Sequence, residues 1–141
     1  MTVNGKIDVD GTEGEEVVFT SFYDDSYGGD WNSDGDETVP SRGNWGQIQV
    51  NGSGEFDYCR LRYGGAGNYQ NANLKFYNTN SSYFSNGVSE YSANHGIYPH
   101  GSTITISGSL FEHNGLDGVW SRNATTTINN CEFNNNDRWA A

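Results

Sequence analysis

The sequence predicts an all-β fold built as a β-solenoid, in which short parallel strands stack around a narrow core. Three observations predict it. The 141 residues are 33% hydrophobic and include 19 Gly but only 2 Pro and 1 Met, a composition unlike that of a helical bundle. A motif recurs about every 22 residues. The apolar runs are short, rich in β-branched and aromatic residues, and bounded by Gly and Asn, which is typical of strands.

The repeat is clearest in four segments that each place a small residue two positions before a large apolar residue. The segments are FDYCRL (56–61), TNSSYF (79–84), ISGSLF (106–111) and INNCEF (128–133). The small residues, spaced by 23, 27 and 22, are Cys59, Ser82, Ser109 and Cys131. The large residues, which keep those spacings, are Leu61, Phe84, Phe111 and Phe133. A unit of this size cannot bury its own apolar face, so it must stack on its neighbours.

A second set of apolar positions recurs in another phase of the repeat. Its members are Ile48, Leu74, Ile97, Val119 and Trp139. Each lies in a short alternating or Gly-flanked segment, so each unit holds two or three short strands joined by polar turns. The sequence therefore predicts a single β-helix domain over residues 1–141, with about five coils of ~22 residues.

The N-terminal part fits the same scheme with one interruption. The segments IDV (7–9) and VVF (17–19) look like two strand phases of an earlier coil, but they precede IQV (48–50) and CRL (59–61) by 41 and 42 residues. Removing one coil of ~22 residues leaves about 20 extra residues. Because residues 24–44 alone lack apolar periodicity, we predict an acidic loop inserted there.

The charge of the chain limits its partners. The formal net charge is −11, and residues 1–57 hold 13 acidic residues against two basic ones, Lys6 and Arg42. Nucleic acid is an unexpected partner, because phosphate binding depends on clustered Lys and Arg. The sequence has no run of about 18 apolar residues, so we expect no membrane insertion.

The inserted loop contains DWNSDGDET (30–38), in which oxygen-bearing side chains alternate around one glycine. Asp30, Asn32 and Asp34 match positions 1, 3 and 5 of an EF-hand-type calcium loop. Gly35 matches its sharp turn, and Asp36 matches position 7, which contributes a backbone carbonyl. Alternate side chains of a tightly curled loop converge on one point, where Ca²⁺ takes six to eight oxygen ligands.

The match to a calcium loop is incomplete and leaves two interpretations. Position 12 is Ser41 instead of a bidentate Glu, so another acid, such as Glu37, or a backbone carbonyl would have to supply the missing ligand. Six carboxylates lie between residues 24 and 37 with no basic residue among them, and a bound cation relieves their repulsion. We predict a structural Ca²⁺ here; the alternative is a solvated loop whose residues merely favour turns. The predicted ligands are Asp30, Asn32, Asp34, Asp36, Asp24 and Asp25.

The order of these motifs resembles that in the bacterial right-handed parallel β-helix repeat-containing proteins, which are surface or secreted proteins and mostly uncharacterised. VNGKIDVDGTEGEEVVFTS, the acidic loop, NWGQIQV and CRLRYGG follow one another as in that family, and the likeness covers nearly the whole chain. The resemblance implies right-handed winding and a secreted or cell-surface location in a bacterium. It also implies further coils before the VNG segment, so we expect this chain to be a fragment of a longer solenoid.

The repeat also makes predictions for cysteine and asparagine. Cys59 and Cys131 occupy equivalent positions three coils apart, which at ~4.8 Å per strand separates their sulfurs by about 14 Å. That distance is beyond disulfide reach, so we predict free thiols. Three Asn residues follow the large apolar positions of their units and predict a hydrogen-bonded asparagine ladder. They are Asn86, Asn114 and Asn136.

Two classes of function fit this sequence. The first is a noncatalytic, calcium-stabilised module for binding, adhesion or scaffolding. The second is a polysaccharide-active enzyme, pectate-lyase-like or glycoside-hydrolase-like, because such enzymes include parallel β-helices. Its candidate residues would be Arg60, Arg62, Arg122 and Arg138 with Asp117 or Asp137. The sequence does not contain the paired-Asp motif of the hydrolases. Arginines that point outward from a strand commonly serve only to make that face of the sheet soluble in water. The sequence therefore favours the noncatalytic module.

Two kinds of partner follow from the same scheme. The chain has more aromatic residues, 14%, than a thin core can hold, and exposed rings suit a glycan or a protein ligand. A solenoid cut between coils exposes apolar core and unpaired strand edges at both ends. We therefore expect self-association, end to end, through the uncapped coils.

Overall fold

A computed structural model describes residues 1–138, which form fourteen strands and no helix. In chain order they are β1 (Thr2–Val3), β2 (Lys6–Asp10), β3 (Val17–Phe19), β4 (Ile48–Val50), β5 (Ser53–Asp57), β6 (Cys59–Arg62), β7 (Ala72–Tyr77), β8 (Ser82–Ser85), β9 (Val88–Glu90), β10 (His95–His100), β11 (Thr103–Ser107), β12 (Leu110–Glu112), β13 (Thr125–Asn129) and β14 (Glu132–Asn134). A membrane-spanning helix is accordingly not found within this part of the chain.

The strands form three sheets, and every pairing between strands within them is parallel. Sheet 1 has the order β1-β4-β7-β10, sheet 2 the order β2-β5-β8-β11-β13, and sheet 3 the order β3-β6-β9-β12-β14. A parallel pair needs a long connection, and here the chain makes that connection by passing through the other two sheets. This parallel β-solenoid-like architecture confirms the all-β prediction.

The core consists of columns in which residues of successive strands stack in register. In sheet 2, Phe56, Phe84, Ile106 and Ile128 form one column, with the last two steps each 22 residues long. In sheet 1, the column contains Ile48, Leu74, Ile97 and Val119, as the sequence predicts. Trp139, the fifth predicted member, lies outside the described residues. Because each inward residue packs on its counterparts above and below, a short repeat suffices to build a continuous core.

The predicted repeat was wrong in one unit. Ser82 and Phe84 lie in β8 of sheet 2, whereas Cys59 and Leu61 lie in β6 of sheet 3. The residue that stacks between Cys59 and Ser109 is Gly87, because Arg60 and Leu110 both pair with Val88. A Cβ at Gly87 would lie 2.6 Å from the Phe84 ring and 2.8 Å from the Cys59 carbonyl oxygen. Only glycine fits there, and its lack of a side chain hides the true repeat from the sequence pattern.

The pairing predicted for the N-terminal coil was half right. β3 pairs with β6, so VVF stacks on CRL as expected. IDV, however, lies in β2 and pairs with β5, while IQV in β4 pairs with β1. IDV and IQV share the same apolar alternation, so the pattern alone could not assign them to different sheets. Residues 20–47 connect β3 to β4 without a strand and contain the acidic segment.

The predicted asparagine ladder is right for Asn114 and Asn136 and wrong for Asn86, which has a different role. Asn114 is buried and bonds to Asn136, its Nδ2 donating to the Asn136 Oδ1 at 2.9 Å. The third member of this ladder is Ser92, whose backbone N–H donates to the Asn114 Oδ1 at 3.1 Å. Asn86 is exposed instead and has a φ of 49°. It forms a left-handed turn after β8, a conformation that Asn tolerates better than most residues.

Both cysteines are free, which confirms the prediction of unpaired thiols. β6 and β14 lie three strand steps apart in sheet 3. Cys59 is fully buried, and burial, with smaller contributions from Glu16 and Asp57, raises the pKa of its thiol to about 12. Cys131 is half-buried.

Candidate cation site in the inserted loop

The acidic loop is anchored to the solenoid through Asp24. Its side chain is only 3% exposed and accepts hydrogen bonds from the hydroxyls of Thr20 and Ser26. The Arg62 Nη1 atom, on β6, lies 3.1 Å from the Asp24 Oδ2 atom. A buried carboxylate needs such a partner to remain charged. Asp24 thus fixes the start of the loop against sheet 3.

Arg62 belongs to a chain of ion pairs along the outer face of sheet 3. The Glu90 Oε1 atom lies 2.9 Å from both the Arg62 Nε and the Arg60 Nη1 atoms, and the Glu90 side chain is 5% exposed. Arg60 also contacts Glu16 at 2.9 Å. Burial disfavours the charge on Arg60, but hydrogen bonds to Glu16 and Glu90 outweigh that effect and raise its pKa. The network connects β6 and β9 of sheet 3 with Glu16, which precedes β3, and with the anchored loop.

Three carboxylates of the loop converge at its outer end. One oxygen from each of Asp25, Asp30 and Asp34 lies within 4.8 Å of the other two. No basic side chain is paired with them among the ion pairs of residues 1–138. The cluster therefore concentrates negative charge at one point.

The local sequence explains why the loop curls around this point. The Asp30 carboxylate accepts hydrogen bonds from the backbone N–H groups of Asp34, at 3.1 Å, and Gly35, at 3.0 Å. Ser33 and Gly35 have φ values of 58° and 67°, in the left-handed region that Gly adopts without strain. These features curl the loop so that the Asp30 and Asp34 carboxylates lie close together, whereas Asp36, at the next alternate position, lies outside the cluster.

Three oxygens of the loop are shielded from solvent yet accept no hydrogen bond. They are the Oδ1 atoms of Asp25, Asn32 and Asp34, each exposing less than 1 Å². Thr38 holds the other ends of two of these groups, because the Asn32 Nδ2 donates to its Oγ1 at 2.7 Å and that hydroxyl donates to the Asp34 Oδ2 at 2.5 Å. Buried oxygens without a partner are costly and rare, so the grouping of three in one acidic loop makes this loop a candidate cation site.

The other carboxylates of the loop also affect the pKa of Asp25. Burial, followed by the charges of Asp30, Asp34, Asp36 and Asp24, raises the pKa of Asp25 above its ordinary value. A raised pKa means that the folded loop holds a proton more tightly than the unfolded chain does. The positive charge of a nearby cation would act in the opposite direction and lower this pKa.

Of the predicted ligands, the structure brings together Asp25, Asp30 and Asp34, with Asn32 contributing an unpartnered oxygen to the same loop. Asp24 is engaged by Arg62 instead, and Asp36 is exposed and lies outside the carboxylate cluster. Sequence reasoning missed Thr38, which orients Asn32 and Asp34. Thr38 occupies position 9 of the calcium-loop pattern, a position that often acts through water, so the spacing itself could have identified it.

Most of the residues proposed for an enzyme site are held in ion pairs on the solenoid. Arg138 contacts Asp117 at 2.6 Å, and Asp137 contacts Arg42 at 2.6 Å. Arg60 and Arg62 are occupied by the carboxylates already described.

Many of the aromatic side chains stack on their counterparts in the next repeat, most of them just outside the strands. The ring of Tyr91 lies between those of Tyr63 and His113, with centroid distances of 5.3 and 5.1 Å and nearly parallel planes. Tyr98 and Trp120 stack at 4.5 Å. These ring faces contact one another, so they are not free to bind a ligand. Large aromatic residues that remain exposed in residues 1–138 are Phe22, Tyr23, Trp31, Tyr69 and Tyr77.

Comparison with models of known protein families, with curated proteins and with solved structures gives no match for this chain.

Proposed function

We propose that this chain is a noncatalytic binding or scaffolding module whose inserted loop holds a structural Ca²⁺. We further propose that its parallel strands wind right-handed in about five coils of ~22 residues. The module would serve in a secreted or cell-surface bacterial protein, where extracellular Ca²⁺ is available. The observation that carries the cation proposal is the set of three unpartnered, solvent-shielded oxygens beside the carboxylate cluster.

The donor set fits calcium. Asp25, Asp30, Asn32 and Asp34 offer only carboxylate and amide oxygens, which are the ligands of hard cations. Zinc and copper prefer nitrogen or sulfur, and neither His nor Cys occurs in the loop. Mg²⁺ demands near-ideal octahedral geometry and keeps its waters, so an irregular curled loop favours Ca²⁺.

The noncatalytic part of the proposal is supported by the ion pairs of the candidate catalytic residues. A general acid or base must reach the substrate, whereas the Asp117 side chain is only 8% exposed and is bound by Arg138. Arg60 and Arg62 are likewise held by the buried carboxylates of Glu90 and Asp24. Such pairs contribute rigidity to the solenoid surface instead.

Thermal unfolding tests the cation proposal. The protein would be measured in EDTA, in Ca²⁺ and in Mg²⁺, together with Asp34→Ala and the control Glu37→Ala, an exposed acid outside the cluster. At a Ca²⁺ concentration 100 times the Kd, binding stabilises the folded state by about 2.7 kcal/mol, which raises Tm by roughly 10 °C for a domain of this size. We expect that rise with Ca²⁺ in the parent and in Glu37→Ala but not in Asp34→Ala. An equal Tm in EDTA and Ca²⁺ would refute the proposal.

We also propose end-to-end association of this chain. The apolar residues that are only partly buried against the core include Ile7 and Phe19 in the first strands of sheets 2 and 3, and Ile128 and Phe133 in the last. Val17, beside them, is 37% exposed. Strand edges of this kind pair readily with another chain. In sedimentation velocity, the parent protein should form larger species as its concentration rises, and Val17→Lys should sediment as a monomer. A parent protein that stays monomeric at high concentration would contradict association.

A further inference from the structure

We propose that copies of this chain dock head to tail, with the last coil of one copy on the first coil of the next, so that the core columns continue from chain to chain. This inference rests on the end-to-end association proposed above. It names the two surfaces that meet and assigns the assembly a polarity.

The first and last coils hold the two ends of the same core columns. In sheet 2, one column runs from Val9 in β2 to Ile128 in β13. In sheet 3, another runs from Phe19 in β3 to Phe133 in β14. Within residues 1–138, each of these four strands pairs on one side only. A second copy placed one coil further along the axis sets its Val9 on Ile128 and its Phe19 on Phe133, which extends both columns in register.

The first coil also borders an apolar cavity that the last coil of a neighbouring copy can cover. The cavity has a volume of about 370 Å³ and is lined by Met1, Phe19, Thr20, Trp45, Gln47 and Ile48. The Oε1 atom of Gln47 is shielded from solvent and accepts no hydrogen bond from residues 1–138. Phe133 is only partly buried, although its ring stacks on Phe111 at 5.1 Å. Head-to-tail docking brings the Phe133 ring to the Phe19 wall of the cavity, whereas head-to-head docking sets one cavity against another.

The distribution of charge favours the same polarity. Residues 1–19 contain five acidic residues against one basic residue, Lys6, whereas residues 119–138 contain two of each. Arg122, in the last coil, is exposed and forms no ion pair within residues 1–138. Two first coils therefore repel each other, while a last coil offers a neutral surface with a free guanidinium. Charge does not oppose contact between two last coils, but that contact leaves the cavity of each first coil open.

A head-to-tail contact does not end at two chains. The two surfaces in contact are different, so every copy in the assembly keeps one of them for a further neighbour. The assembly grows into a filament unless the rotation between copies closes a ring. A two-fold dimer, in contrast, uses the same surface of both copies and stops there.

Disulfide trapping distinguishes these arrangements. Asp8 is the central residue of β2 and Thr127 that of β13, and both are exposed at the same position of the repeat on the outer face of sheet 2. Within one chain they lie four strand steps apart, about 19 Å, which is beyond disulfide reach. Across a head-to-tail contact their Cα atoms would be about 4.8 Å apart, within that reach. A disulfide between these positions therefore reports a contact between two copies.

The variants would be made in a Cys131→Ser background, which removes the half-buried thiol and keeps a donor for the Asn129 carbonyl. Asp8→Cys, Thr127→Cys and the double variant would be oxidised mildly, at a concentration where the parent protein associates, and run on a nonreducing gel. We expect the double variant to form a ladder of linked dimers, trimers and longer species, and each single variant to stay monomeric. The matched control Asp8→Cys/Tyr83→Cys places its second thiol on β8, in the middle of the sheet, and should form no ladder.

Each other outcome overturns the proposed polarity. In a two-fold contact, the central residue of an edge strand lies opposite its own copy. Linked dimers of Asp8→Cys alone would therefore show that two first coils meet, and linked dimers of Thr127→Cys alone that two last coils meet. A double variant without a ladder also contradicts head-to-tail docking.

A third substitution separates a docked contact from random collision. Adding Val17→Lys to the double variant places a charge in the buried contact and should abolish the ladder; a ladder that persists would overturn the inference. Sedimentation velocity of the parent protein shows which proposal has failed. A parent protein that stays monomeric at high concentration refutes association itself, whereas one that associates without a ladder in the double variant refutes only the polarity.

Discussion

Replacing Asn114 with Ala should destabilise the solenoid far more than replacing Asn86, although the two occupy similar positions in the sequence repeat. The Asn114 side chain is buried and makes three hydrogen bonds to groups of the solenoid. Its Oδ1 accepts from the Ser92 N–H, and its Nδ2 donates to the Ser89 carbonyl and to the Asn136 Oδ1. Truncation leaves the backbone N–H of Ser92 buried without its partner and removes the two bonds that the Asn114 Nδ2 group donates.

The size of the effect follows from one orphaned group and two lost hydrogen bonds. A buried polar group without a partner costs about 1–3 kcal/mol and a lost hydrogen bond about 1 kcal/mol, so Asn114→Ala should lower the free energy of unfolding by about 3–5 kcal/mol. Asn86 is exposed, and its side chain donates only to the Asp57 carboxylate at 2.9 Å. Asn86→Ala loses that bond and the tolerance of Asn for positive φ, a cost of about 1 kcal/mol. Urea unfolding of both variants at a fixed Ca²⁺ concentration measures the difference. Equal losses in the two variants would refute the account of the ladder.

Three further predictions concern buried ionisable groups. Glu90→Gln should cost about 2–3 kcal/mol in urea unfolding, since two arginines lose their shared buried carboxylate; a loss below about 0.5 kcal/mol would mean that the network is not a stabilising unit. Burial lowers the pKa of His95, an effect that Asp117 only partly offsets, so the unfolded state takes up its proton first. Stability should therefore fall as pH drops below about 6.5, and His95→Asn should flatten that part of the curve. A thiol reagent at pH 8 should modify Cys131 in the native state and Cys59 only after unfolding; equal rates would contradict the burial of Cys59.

The sequence allowed the all-β architecture to be predicted because a solenoid repeats its chemistry at a fixed interval. The column of Ile48, Leu74 and Ile97 was found correctly, since every member has a large apolar side chain. The column through Cys59 was predicted wrongly, because Gly87 occupies one of its positions and Ser82 begins the same motif in the neighbouring sheet. Sheets 2 and 3 both face one core, so strands of either sheet can place a small residue two positions before a large apolar one.

The clustering of acidic side chains in the inserted loop could be predicted in part, because it too follows from a local spacing in the sequence. Alternating oxygen side chains around Gly35 indicated convergence, and the structure brings Asp25, Asp30 and Asp34 together. The separate engagement of Asp24 depends on Arg62, which lies 38 residues away in the chain. A one-dimensional pattern does not contain that contact, since it arises only when the loop folds back onto β6. The same limit applies to Arg60 and Glu90, which meet only because β6 and β9 are adjacent.

Isothermal titration calorimetry of Ca²⁺ into EDTA-stripped and dialysed protein tests the central claim most directly. The account predicts a saturable heat with about one Ca²⁺ bound per chain, retained in Glu37→Ala and lost in Asp34→Ala. It also predicts weaker binding at pH 4.5 than at pH 7, because the raised pKa of Asp25 makes a proton compete with the cation. The absence of saturable binding at millimolar Ca²⁺ in the parent protein would contradict the claim that the inserted loop is a calcium site.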